Sequence, residues 1–154
     1  MKPISYFFIF LAINFGGLAF GSWLMNNGPT SDWYSNLNKA PWTPPGWVFG
    51  VAWTTIMICF SIYLAKLFTS KKDTKHLTIV FVIQFILNVS WNFLFFNQHL
   101  VFLALIGIIL LTAVIFYFYL NLSKNIGKYS FLLTPYMIWL CIATSLNLYV
   151  LIYN

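Results

Sequence analysis

Apolar positions fall into five long runs: Tyr6–Met25, Trp47–Phe68, Leu77–Phe96, Leu100–Leu122 and Phe131–Tyr153. Each is near the roughly 20 residues that a helix needs to cross a bilayer. Polar connectors bearing Gly or Lys separate the runs, and no other stretch is long enough for a soluble domain. Runs such as Leu100–Leu111 lack the alternation of apolar and polar residues that marks strands of a membrane barrel. Backbone groups in hydrocarbon must then be satisfied inside helices. The pattern predicts an all-α membrane protein, a five-transmembrane-helix bundle forming one integral domain over residues 1–154. A Pro/Trp-rich loop joins the first two helices. The first run exceeds the roughly 7–15-residue core of a signal sequence and reads as a true span. Its Gly17-Leu-Ala-Phe-Gly21 is a small-xxx-small pattern suited to close packing within the subunit.

Composition agrees. The 154 residues are 61% hydrophobic and only 6% charged, where a soluble domain carries about a quarter charged residues. Mean hydropathy is +0.84. All eight basic residues are lysines. Lys2, Lys66, Lys71, Lys72, Lys75, Lys124 and Lys128 share the side of the amino terminus, and Lys39 alone lies on the other. This bias predicts a cytoplasmic amino terminus, an outer carboxyl terminus and an outward-facing Pro/Trp loop in the cell membrane. It also explains the +6 net charge, so the charge implies no nucleic-acid partner. The lipid bilayer is the partner that it does imply.

Several chemistries are disfavoured. No Asp, Glu, Arg or His falls within a span, and Lys66 sits at a helix end. Pumps and ion-coupled carriers need ionisable groups in the membrane, and ordinary acid–base catalysis needs them too. His76 and His99 lie in connectors, so neither reads as an axial haem ligand. No ligand spacing joins Met57, Met137, Cys59 and Cys141, which read as core filling, and no metal site is expected.

The spans instead carry neutral amides and indoles on defined faces. Gln84, Asn88 and Asn92 fall at i, i+4 and i+8, beside Trp91 and Phe95. Tyr136, Trp139, Ala143 and Asn147 share a face of the fifth run, and Phe49 and Trp53 lie one turn apart in the second. The fourth run, with almost nothing polar apart from Thr112, reads as a wall. Gln84 and Asn14 read as glue between helices. Asn88, Trp53 and Trp139 read as the lining of a pocket for an apolar ligand with a few polar atoms. Trp33 to Trp53 holds four of the seven tryptophans and three of the six prolines. Within it Trp33 and Tyr34 are candidates for a lid. Trp42 and Trp47, like Trp23, read as anchors at the water boundary.

Three blocks resemble the translocator protein / tryptophan-rich sensory protein family. They are Trp33-Tyr34-xx-Leu37-x-Lys39-x-Pro41-xx-Pro44-Pro45-xxx-Phe49-xxx-Trp53, Gln84-xxx-Asn88-xx-Trp91-xxx-Phe95-Phe96, and Pro135-Tyr136-xx-Trp139-xxx-Ala143-Thr144-xx-Asn147. The resemblance implies a five-helix bundle, often a homodimer, with a pocket open towards the first loop. It implies protoporphyrin IX and other tetrapyrroles as ligand or substrate, together with isoquinoline and benzodiazepine compounds. Bacterial members are linked to tetrapyrrole transport, sensing and light-dependent breakdown of protoporphyrin. Carried over by position, Trp53 and Trp139 would flank the ligand and perform the photochemistry, with Asn88, Ala143 and Asn147 in the same cavity. Phe49, Trp91, Trp33 and Tyr34 complete the expected site. A passive carrier of porphyrins and a ligand-responsive scaffold are the alternatives. Leu148–Asn154 lacks the basic residue that ends the family's cholesterol-recognition pattern, and the third run lacks small residues for a close dimer contact.

Overall fold

The computed structural model describes all 154 residues. It is helical, with α1 (Pro3–Leu24), a short α2 (Asp32–Asn36), α3 (Gly46–Ser70), α4 (Lys75–Asn92), α5 (Val101–Tyr117) and α6 (Thr134–Tyr153). Together with the irregular turns that extend them, α1, α3, α4, α5 and α6 form five segments of mean hydropathy 1.6 to 2.8, long enough to cross a bilayer. The chain is an integral membrane protein.

Proline chemistry sets several helix ends. Pro3 opens α1 and Pro135 lies in the first turn of α6, where a missing N–H costs nothing. The fifth apolar run therefore does not begin as α-helix at Phe131. Gly127–Leu133 forms 3₁₀ turns, and the α-helix starts at Thr134. Pro45 directly precedes α3 in extended conformation. The third run continues past Asn92 as a π-helical turn, Phe93–Asn97, and the fourth ends likewise at Phe118–Leu122. Placing His76 in a connector needs correction, because α4 begins at Lys75. His76 lies in its first turn, with Nε2 3.0 Å from the Tyr117 hydroxyl.

The five long helices close into a ring in which α1 neighbours α3 and α4, α4 neighbours α5, and α6 neighbours α5 and α3. The centre is filled by Ile56, Phe60, Tyr63, Leu111, Ile115, Phe118 and Tyr136. Large apolar side chains such as Phe8, Ile86, Phe102, Ile109 and Ile138 point outwards and are exposed. That distribution suits a hydrocarbon solvent.

The inward face of α1 carries Phe10, Asn14, Gly17 and Gly21. Asn14 donates from Nδ2 to Ser61 Oγ at 2.9 Å, and Gln84 donates from Nε2 to the Tyr136 hydroxyl at 2.8 Å. Both amides join helices, because a polar group in hydrocarbon needs a partner. A methyl group on Gly17 would lie 2.5 Å from Phe85, and one on Gly21 would lie 2.8 Å from Asn92 Nδ2. The small-xxx-small pattern thus seats α1 against α4 within one subunit.

The Pro/Trp loop is stitched to the bundle. Ser31 caps α2, its Oγ accepting from the Tyr34 N–H at 3.2 Å. The Asn38 N–H donates to Asn154 Oδ1 at 2.8 Å, and Asn154 Nδ2 donates back to the Asn38 carbonyl at 3.2 Å. Trp42 Nε1 donates to Ser145 Oγ at 3.1 Å, and its ring stands edge-on to Tyr149. Trp42 is therefore a tie to α6 as well as a boundary residue, whereas Trp47 is 72% exposed and free of such ties.

Candidate functional site

Phe49 and Trp53, one turn apart on α3, stand where three hollows meet. Beneath the loop lies a chamber of about 420 Å³, bounded by Tyr34, Lys39, Thr43, Pro44, Phe49, Trp53, Trp91, Asn92 and Phe96. This is within the range of small-molecule sites. A second hollow of about 240 Å³ lies between α1, α3 and α4 and is lined by Gly17, Ser22, Gly50, Trp53, Thr54, Asn88 and Asn92. Ser22, Gly50 and Thr54 are exposed on membrane-spanning helices, so this hollow opens on the outer surface of the bundle. The third, about 20 Å³, lies deep between Phe49, Trp53, Asn88, Trp91, Trp139 and Ala143. It has room for about one water molecule.

Asn88 lies at the junction of the lateral and deep hollows. Its backbone carbonyl accepts from Asn92 Nδ2 at 3.5 Å, while its side-chain amide has no protein partner. The indole N–H groups of Trp53 and Trp139 are likewise uncommitted, in contrast to Trp91. Trp91 Nε1 donates to Asn147 Oδ1 at 3.0 Å, and Asn147 Nδ2 donates to the Val101 carbonyl at 3.0 Å. Asn147 is buried, and both ends of its amide are engaged by protein. It borders only a narrow cleft of about 40 Å³ beside Tyr34 and Lys39, and its evident work is to orient Trp91.

Trp53 and Trp139 both border the deep hollow. The Trp139 ring is met edge-on by Phe49 at 5.1 Å, the Trp53 ring lies edge-on to Tyr136 at 6.0 Å, and the deep hollow is the small space left among them. Trp33 does not line the chamber. Its ring is stacked on His99 at 4.0 Å and edge-on to Phe95 at 5.7 Å. In α2, a single turn of helix, consecutive side chains diverge by about 100°, so Trp33 and Tyr34 cannot both face inwards. Tyr34 takes the inward place. Burial pushes its phenol pKa above the ordinary value.

Sequence reasoning left Lys39, Thr43, Asn92, Phe96 and Met25 out of the site, although all border the main chamber. Asn92 was visible as the third member of the amide stripe. Lys39 was visible as the one lysine away from the crowded side. No group of three or more His, Cys, Asp or Glu side chains comes together to hold a metal.

Fold and site define a five-span helical membrane protein with an indole- and amide-walled chamber beneath a Pro/Trp-rich loop. The chain belongs to the TspO/MBR family, which it matches over residues 8–153. It is 33% identical to the tryptophan-rich protein TspO of Chlorobaculum tepidum, over 94% of this chain and 90% of that one. The tryptophan-rich protein TspO of Archaeoglobus fulgidus is 30% identical, with 100% and 97% covered. The human translocator protein is 31% identical over 75% of this chain and 70% of its own.

Proposed function

We propose that this protein binds a tetrapyrrole, protoporphyrin IX in the first instance, in the chamber beneath the loop and promotes its light- and oxygen-dependent breakdown. The observation that carries this reading is the junction at Phe49 and Trp53. There a 420 Å³ chamber and a 240 Å³ lateral hollow share an indole face, with the Asn88 amide unpartnered beside it. A flat apolar ring would stack on indole and phenyl faces, and ring nitrogens would find the Trp53 N–H and Asn88 amide. Isoquinoline and benzodiazepine compounds suit the same walls. Trp53, whose N–H is uncommitted, and Trp91 are the indoles in reach of the excited ring, and Trp139 joins them once Phe49 turns aside. The test is illumination of purified protein with protoporphyrin in air. Loss of porphyrin absorbance should slow in Trp53→Phe, and an unchanged rate in both Trp53→Phe and Trp139→Phe sinks the photochemical role.

The lateral hollow supports a second reading, a carrier that passes porphyrin between the bilayer and the loop side. Its exposed Ser22, Gly50 and Thr54 open the Trp53 wall to the outer surface of the bundle, where lipid would lie. Protein-dependent porphyrin flux across vesicles in darkness would favour this reading over chemistry.

A further inference from the structure

The main chamber has one cationic group in its wall, and that cation has no acid to neutralise it. Lys39 is half-buried and borders both the 420 Å³ chamber and the narrow cleft beside it. Its Nζ donates to the Tyr34 carbonyl at 2.7 Å and the Ser35 carbonyl at 3.3 Å, and lies 4.7 Å from the Tyr34 ring centroid. These partners are the last-turn carbonyls of α2 and an aromatic face, all neutral acceptors of positive charge. An ammonium has three donors, so one N–H remains. The chain has only two acids, Asp32 and Asp73. Asp32 opens α2 at the end opposite the carbonyls that hold Lys39, and Asp73 precedes α4 on the far side of the bundle.

We propose that Lys39 is a specificity-determining residue that anchors an ionised carboxylate on the rim of a flat apolar ligand. This assignment rests on the chamber being the ligand site. The ring lies against Phe49, Trp53 and Trp91, and its acidic edge points to the loop. Neutral esters of the same ring lose the anchor and keep the stacking. The clamp formed by Asn154 on Asn38 holds the backbone next to Lys39, so the ammonium is positioned before a ligand arrives. Lys39 also caps α2, and the test must separate that structural duty from recognition.

Binding is followed by tryptophan quenching in a neutral detergent for two pairs of probes. The first pair is protoporphyrin IX and its dimethyl ester, and the second is pyrenebutyrate and pyrenebutanol. Wild-type protein should prefer each acid over its neutral partner by about tenfold, the order expected of one charge-assisted hydrogen bond near the surface. Lys39→Gln should remove that preference and leave the affinity for the ester and alcohol within about twofold, whereas Lys39→Arg should keep it. Salt should erode only the acids' advantage. An acid preference that survives in Lys39→Gln overturns the assignment. So does an equal loss for acid and neutral probes, which reduces Lys39 to a helix cap. Should the pyrenes discriminate through Lys39 while neither porphyrin binds, the anchor stands and the tetrapyrrole reading falls.

Discussion

Phe49 stands edge-on to Trp139, ring centroids 5.1 Å apart and planes at 87°, and so forms the partition between the main chamber and the deep hollow. Phe49 borders both spaces, whereas Trp139 borders only the deep one. Trp53 and Trp91 border both spaces as well, and of the three Phe49 is the one in edge-on contact with the Trp139 ring.

Phe49→Ala should join the two spaces. Saturating protoporphyrin is then expected to quench a larger share of tryptophan fluorescence than in wild type, because Trp139 comes within reach. The cost is lost burial of a half-buried ring, about 2 kcal/mol, seen as a lower thermal midpoint. Quenching identical to wild type would show that Phe49 is not the partition.

Gln84 and Tyr136 form a buried pair in which Gln84 Oε1 is left without a partner. Tyr136→Phe strands the whole amide and should cost about 1–2 kcal/mol. Gln84→Leu removes the stranded oxygen as well and should be milder. A double-mutant cycle by reversible unfolding in detergent is expected to give a coupling near about 0.6 kcal/mol.

Glycines separate by what surrounds them. A methyl group on Gly28 would run into Phe96, including its Cβ, which is rigidly attached to backbone. Gly28→Ala should displace the start of the loop and cost about 1–3 kcal/mol. Gly16 has open space around it on the outer face of α1, so Gly16→Ala should be neutral or raise stability by up to about 1 kcal/mol. Thermal midpoints of the two variants in one detergent make the comparison.

Burial raises the pKa of Tyr34 above its ordinary value of 10.0. The folded loop thus holds a proton that an unfolded chain would release. Its contribution to stability is complete below pH 10 or so and is lost as pH rises through the folded value. The thermal midpoint should fall more steeply above pH 10 in wild type than in Tyr34→Phe. Parallel curves would place Tyr34 outside the loop's alkaline transition.

The lysine bias predicts an outer carboxyl terminus. Alkaline phosphatase fused after Asn154 should be active in a bacterial host, and a fluorescent protein fused there should stay dark. The opposite pair of results reverses the orientation of the loop, the chamber and Lys39 together.

Five spans and their order were legible in the chain. Apolar run length and backbone satisfaction in lipid leave few alternatives, as the runs from Tyr6 to Tyr153 illustrate. The helix faces were legible too, because 3.6-residue periodicity puts Asn88 with Asn92, and Trp139 with Ala143, whatever their neighbours. Other features depended on how helices distant in sequence approach one another. The partition by Phe49, the engagement of Asn147 by Trp91 and Val101, and the turning of Trp33 away from the chamber arise only from that packing. Side chains that share a face can equally line a space or fill it, and the distance to the facing helix decides between them. Lys39 shows the same division: its charge and its isolation from other lysines are written in the sequence, while its place on the chamber wall is a product of the loop's ties to Ser145 and Asn154.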